Sequence, residues 1–257
     1  MQVACCQFEV VWCDKPANYR RVAEMVAGAK LEPGTLLLLP EMFATGFSMA
    51  AEEIAEPPDG PTVQVLGELA RLHQIFIQAG VVVRDTAGGR PRNEAVVVGP
   101  VGNRIARYAK RHLFSLAGED QFYAPGNGPE SFGWQEAVCT PAICYDLRFP
   151  EHFRAEATFA AELIAVIACW PAAREAHWSA LLTARAIENQ CYAAGCNRCG
   201  SEPGGPAYSG CSQIIGPRGE LLAEAGSGPT IIRATIDLDE LQRYRAIFPA
   251  LRDRRTG

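Results

Sequence analysis

Short runs almost free of polar residues, set between segments of helical period, constrain this 257-residue chain more than any other feature. "TLLLLP" (35–40) and "LIAVIAC" (163–169) leave no polar face to turn to water, so each predicts a strand buried on both sides. "QVACCQF" (2–8) reads as a first strand. Asp14 as N-cap and Pro16 in the first turn introduce Val22, Met25, Val26 and Ala29 at helical spacing, which predicts a helix over about 16–30. A second helix opens at Pro61, with Val65, Leu66, Leu69 and Leu72 assigned to one side, and leads into the strand "IFIQAGVVV" (75–83). This alternation of strand and helix is the pattern of a layered α/β fold. No linker or low-complexity stretch interrupts it, so one domain is expected over 1–257.

Further along, "AVVVGPVGNRIARY" (95–108) and "SQIIGPRGELLAEA" (212–225) both place Gly-Pro-x-Gly between apolar runs and predict two β-hairpins. The shared turn is either a weak internal repeat or two separate uses of a common device. Between them lie the strand "AVCTPAICY" (137–145), a short helix after Pro150, the run 163–169 and a long helix across "REAHWSALLTARAIENQ" (174–190). "GSEPGGP" (200–206) reads as a mobile surface loop.

Composition narrows the partners. The net charge is −5, and Lys and Arg are scattered apart from "RDRR" (252–255), so there is no basic stripe to hold a phosphate backbone and nucleic acid is not expected. No glycine pattern for a phosphate cradle is present. The N-terminus carries no basic segment or small-residue cleavage pattern, and no apolar run approaches spanning length, which predicts a cytoplasmic protein with no membrane partner. The ten cysteines, several of them inside apolar runs, read as free thiols serving mainly as small core residues.

Three places offer chemistry. In "CTPAICYDLRFPE" (139–151) an apolar strand ends at Cys144 and gives way to a polar turn with Asp146 and Arg148, delivering a thiol to the crevice at the carboxyl end of a sheet. Glu41 follows "LLLLP", where partial desolvation of a carboxylate raises its pKa toward the range of a general base. In "RYAKRHLFSLAGED" (107–120) Lys110 ends a strand-like run and Glu119 follows a loop; a lysine close to two carboxylates stays protonated and can stabilise an oxyanion. Singly, these residues have plainer readings as a core thiol, a solvated glutamate and a surface lysine. On one sheet rim they supply base, oxyanion stabiliser and nucleophile for acyl transfer.

The order Glu41 in "PEMF", Lys110 in "KRHLF" and Cys144 in "ICYDLRFPE" resembles the Glu-Lys-Cys set of the nitrilase superfamily, the carbon-nitrogen hydrolases, and the resemblance runs over nearly the whole chain. "WPAAREAHWSALLTARAIENQCYAAGCNR" (170–198) and "LDELQRYRAIFPALRDRR" (238–255) look like its ω-amidase branch, which hydrolyses the distal amide of 2-oxoglutaramate and 2-oxosuccinamate. The resemblance implies a four-layer α-β-β-α sandwich, a homodimer or higher homo-oligomer, and a reaction without metal or cofactor. It also implies that Glu41 deprotonates Cys144, that a thioester forms as ammonia leaves, and that Lys110 and the Tyr145 N–H stabilise the oxyanion. Glu119 matches the family's second glutamate, which holds the lysine and the substrate.

A substrate of this class carries a free carboxylate, for which Arg148 or Arg174 is the candidate cation, with Trp170 beside them. Cys169 stands where the branch commonly has asparagine, and 200–212 differs from the usual connection. The alternatives are hydrolysis of another aliphatic amide, an N-carbamoyl amino acid or a nitrile by the same triad; a Cys-His hydrolase using His112 or His177; and a non-enzymatic binding scaffold. A zinc site at Cys196 and Cys199 would need Cys191 and Cys211, which stand singly.

Overall fold

The computed structural model describes residues 1–155, 158, 159 and 161–255; the last two positions of the domain expected over 1–257 lie outside them. The first half runs β1 (Gln2–Gln7), α1 (Lys15–Ala29), β2 (Leu36–Leu38), α2 (Ala51–Ile54), α3 (Pro61–His73), β3 (Phe76–Val83), β4 (Arg92–Val98), β5 (Arg104–Ala109) and α4 (Glu119–Phe122). The second runs β6 (Phe132–Trp134), β7 (Ala137–Ile143), α5 (Pro150–Phe153), β8 (Leu163–Ala168), α6 (Glu175–Asn189), β9 (Tyr192–Asn197), β10 (Cys199–Ser201) and β11 (Ala207–Ser209). It ends with β12 (Gln213–Ile215), β13 (Leu221–Glu224), β14 (Thr230–Thr235) and α7 (Leu238–Ile247).

Two six-stranded sheets result, in the orders β14-β1-β2-β3-β4-β5 and β13-β12-β9-β8-β7-β6. In each, three parallel strands form the middle and antiparallel strands the edges. The apolar runs alternate between two buried faces. Val3, Cys5, Leu36 and Leu38 meet Ile143, Ala165, Ile167 and Cys196 between the sheets. Ala4, Cys6, Leu37 and Leu39 pack outward with Val22 and Val26 of α1 and Leu66 of α3. Ile164 and Val166 pack outward with Trp178, Leu182 and Ala186 of α6. The fold is therefore the four-layer α-β-β-α sandwich of the nitrilase type.

Most expected elements form within a residue or two of their expected ends, and Asp14 caps α1 through an acceptor oxygen 3.0 Å from Ala17 N. One helix face differs. Leu72 of α3 is 76% exposed and Val65 half-buried, whereas Val63, Leu66, Leu69 and Ala70 face the sheet. At about 100° per residue Leu72 lies half a turn round from Val63, and the phase is set by which residues the sheet covers. The two hairpins occupy equivalent places: β4–β5 and β12–β13 each close an edge after three parallel strands, each with a bulge. Gly102 and Gly219 turn them at φ of 84° and 87°, a region open to glycine. Residues 200–206 form more than a loop, for they are the tip of the two-stranded ribbon β10–β11. Cys196 and Cys199 are buried, and the Cys196 thiol donates to Leu38 O at 3.2 Å; these two do not join Cys191 and Cys211 in a ligand group among the described residues. Among the described residues no helix is long and apolar enough to cross a membrane.

Candidate active site

Glu41 stands three residues past β2, at the carboxyl end of the first sheet's middle. The chain turns there with Met42 at a φ of 45°, and it does so against Gly80 of β3. A Cβ on Gly80 would lie 2.5 Å from Glu41 Cα and 2.3 Å from Met42 N, so only glycine lets the two backbones approach. Lys110 follows β5, its N–H donating to Asn93 O at 2.8 Å. Glu119 opens α4 and accepts from Phe114 N at 2.6 Å.

These side chains meet in a fully buried cluster. Lys110 Nζ lies 2.8 Å from Glu41 Oε1 and 3.1 and 2.9 Å from the two Glu119 oxygens. Asn93 Nδ2 bridges the same carboxylates, donating to Glu41 Oε1 at 2.7 Å and to Glu119 Oε1 at 3.0 Å. The second Glu41 oxygen accepts from Cys169 N at 2.8 Å. Burial alone would lower the lysine pKa, but Glu119 and Glu41 outweigh it and hold the ammonium well above the usual lysine range.

Cys144 is the first residue past β7, half-buried, at a φ of 45°. A non-glycine residue in the left-handed region persists only where its surroundings hold it, and such corners cluster at active sites. Its sulfur is 3.9 Å from Cys169 O. Burial pushes the thiol pKa well up and the Glu41 charge adds to this, against an opposing pull from Lys110. The resting group is thus a thiol, and a nucleophile forms only as its proton moves.

Cys144 and Lys110 open on a cavity of about 230 Å³ whose walls include Phe47, Phe114, Tyr145, Trp170, Glu202 and Tyr208. Arg148 and Arg174 line it too. The Arg148 guanidinium sits 4.7 Å from the Trp170 ring and Arg174 5.5 Å from the Phe114 ring. Among the described residues neither is paired with a carboxylate. Opposite in charge, Glu202 is held by Arg198 at 3.3 Å and by the Tyr208 hydroxyl at 3.0 Å.

The structure thus brings Glu41, Lys110, Glu119 and Cys144 into one cluster and sets Tyr145, Arg148, Trp170 and Arg174 on the wall beside it. Sequence reasoning missed Asn93 and the Glu202–Arg198–Tyr208 group. The available signal for Asn93 was a lone amide in the inward-turning strand "RNEAVVV"; Glu202 sat in a segment whose Gly and Pro read as surface. Cys169 serves Glu41 through its backbone N–H, a contact indifferent to the side chain, and its thiol donates to Glu41 O at 3.2 Å. The imidazoles are engaged elsewhere: His112 Nδ1 lies 2.8 Å from Asp146 and His177 Nδ1 3.3 Å from Arg148. Among the described residues neither bonds the Cys144 sulfur, which removes the Cys-His arrangement.

Comparison with known proteins agrees with this geometry. Omega-amidase YafV of Escherichia coli (strain K12) is 38% identical over 98% of this chain and 96% of its own length. A 2-oxoglutaramate amidase of Bacillus subtilis (strain 168) is 36% identical over the same shares. A crystal structure of a CN-hydrolase superfamily protein of Xanthomonas campestris, with an arsenic adduct in its active site, superposes with a TM-score of 0.92 at 31% identity, covering 100% of this chain and 98% of that one. The sequence pattern of carbon-nitrogen hydrolases matches residues 2–246. Matched nearly end to end in sequence and in fold, the chain belongs to the carbon-nitrogen hydrolase family.

Proposed function

We propose that the protein is an ω-amidase that hydrolyses the distal carboxamide of 2-oxo dicarboxylic acid monoamides, 2-oxoglutaramate and 2-oxosuccinamate, to the acid and ammonia. The observation that carries this reading is the pair of half-buried arginines, Arg148 and Arg174, without a carboxylate partner among the described residues, on the wall of the cavity that holds Cys144. A substrate carboxylate supplies the missing anion. The names of the bacterial relatives point the same way.

The amide carbonyl oxygen lies between Lys110 Nζ and the Tyr145 N–H. Cys144 attacks the carbonyl carbon as its proton passes to Glu41, and the oxyanion forms against the ammonium. Glu41 returns the proton to the leaving nitrogen, ammonia departs and a thioester remains. Water then gives a proton to Glu41, attacks the thioester and releases the acid. Lys110 stays charged throughout because Glu119 holds it from the other side.

The test is ammonia release from 2-oxoglutaramate beside uncharged aliphatic amides, N-carbamoyl amino acids and nitriles. The oxo-amide is expected to be turned over fastest, and Arg148→Ala and Arg174→Ala to raise its KM by about 10-fold or more, as loss of a charged hydrogen bond implies, with kcat little changed. Preference for an uncharged amide, insensitive to both substitutions, would remove the carboxylate anchor. Preference for an N-carbamoyl amino acid would keep the anchor and move the substrate. The protein acts as a homodimer in this reading, with Ile247 and Phe248, exposed by 82% and 57%, among the apolar surface covered. Light scattering at micromolar concentration is expected to give twice the chain mass, and a monomer would count against it.

A further inference from the structure

Asp146 has no exposed surface and accepts four hydrogen bonds. Its Oδ2 takes one from Ile143 N at 3.1 Å and one from the Tyr108 hydroxyl at 2.7 Å. Its Oδ1 takes one from His112 N at 3.0 Å and one from His112 Nδ1 at 2.8 Å. The donors come from both halves of the sandwich. Ile143 ends β7 in the second sheet, directly before Cys144, whereas Tyr108 and His112 stand two residues either side of Lys110, at the end of β5 in the first.

We propose that Asp146 is the positioning residue that keys the Cys144 turn to the Lys110 segment, setting the thiol and the oxyanion-binding ammonium at a fixed separation. The proposal rests on the roles given above to Cys144 and Lys110. The left-handed backbone of Cys144 needs outside constraint, and Asp146 supplies it by seizing the N–H of the residue before. Burial would raise the Asp146 pKa, but the bond from the His112 ring, the nearby His152, the Tyr108 hydroxyl and the His112 N–H together hold it below the usual aspartate range. It is therefore a carboxylate, with four acceptor positions for four donors. His152 completes a group with His112 and Asp146 whose potential ligand atoms lie within 4.8 Å of one another. A cation there would have to displace protein donors from Asp146, so the group serves position rather than metal binding.

Asp146→Asn is the informative substitution. An amide has one acceptor oxygen and one NH₂, so either Ile143 N–H or His112 N–H is left facing a donor, and one side of the link opens. The wild-type protein is first run on the substrate panel, and the comparison is made on whichever amide it hydrolyses. Silence there would sink the amidase reading and the positioning role together, whereas a normal Asp146→Asn enzyme would sink the positioning role alone. The expected result is a fall in kcat of about 10²-fold, the cost of a small misplacement of reacting groups, with KM within about threefold. An aldehyde analogue of the substrate, which adds the thiol and develops the oxyanion, should lose affinity in step with kcat/KM. The acid product should bind as before. Tyr108→Phe removes one hydroxyl, leaves the other three bonds, and should lower kcat by about fivefold at constant KM. If Asp146→Asn fails to fold, Tyr108→Phe carries the test. Unchanged kcat in a folded variant, or equal losses in aldehyde and product affinity, would overturn the proposal.

Discussion

Cys144→Ala is expected to reduce ammonia release by about 10⁴-fold or more, the scale seen when a covalent nucleophile is removed, without loss of fold. No nearby group can replace it. The only other sulfur on the cavity wall is Cys169, whose thiol donates to Glu41 O and whose pKa is pushed well up by burial and then by the Glu41 charge. Lys110 is kept protonated by its two carboxylates and has no free lone pair. Stability should stay within about 1 kcal/mol, because alanine meets the same backbone conformation and no hydrogen-bonding group is buried unpaired. A coupled ammonia assay gives the rate. Intact mass of acid-quenched enzyme should show an acyl adduct on the wild type and none on the variant. Substantial turnover by the variant would mean that hydrolysis does not pass through a Cys144 thioester.

Lys110→Met is expected to cost both activity and stability. The ammonium is the cation that lies against Glu41 and Glu119, and all three side chains are without solvent. Methionine fills similar space but leaves two buried carboxylates facing each other, a change that typically costs about 3–5 kcal/mol. For a chain of this size that corresponds to a fall in Tm of roughly 10 °C. Turnover should drop by at least about 10³-fold, since the oxyanion loses its cation and the base its hydrogen-bonded partner. The sign with pH follows from the raised lysine pKa. Its contribution is complete below the unfolded lysine value of about 10.4 and is lost only as pH rises through the folded value, so thermal unfolding at neutral pH reads it in full. A variant as stable as the wild type would mean that the cluster does not need the cation.

Much of the molecule was legible because local pattern carries it. A strand buried on both faces must be apolar throughout, so β2 and β8 announce themselves. Asp14 followed by Pro16 marks the start of α1 by capping chemistry alone. The types of residue at the strand ends, Glu41, Lys110 and Cys144, were readable for the same reason, since a polar side chain directly after such a run must sit at the rim of a sheet. The inward face of α3 was misjudged because an apolar residue at a helix edge, such as Leu72, satisfies the spacing without being covered.

The sequence by itself determined the order of elements, the layered α/β class and the chemical identity of base, cation and thiol, because each of these depends on neighbours within a few positions. Tertiary structure alone decided the rest. Glu41 receives its two principal partners from 69 and 128 residues away, Lys110 and the backbone of Cys169, through the packing of one sheet on another. Asn93 became part of the cluster, Glu202 part of the wall and Asp146 a link between the halves for the same reason. A polar group deep in a sandwich must find partners wherever the fold places them, and no spacing along the chain encodes that place.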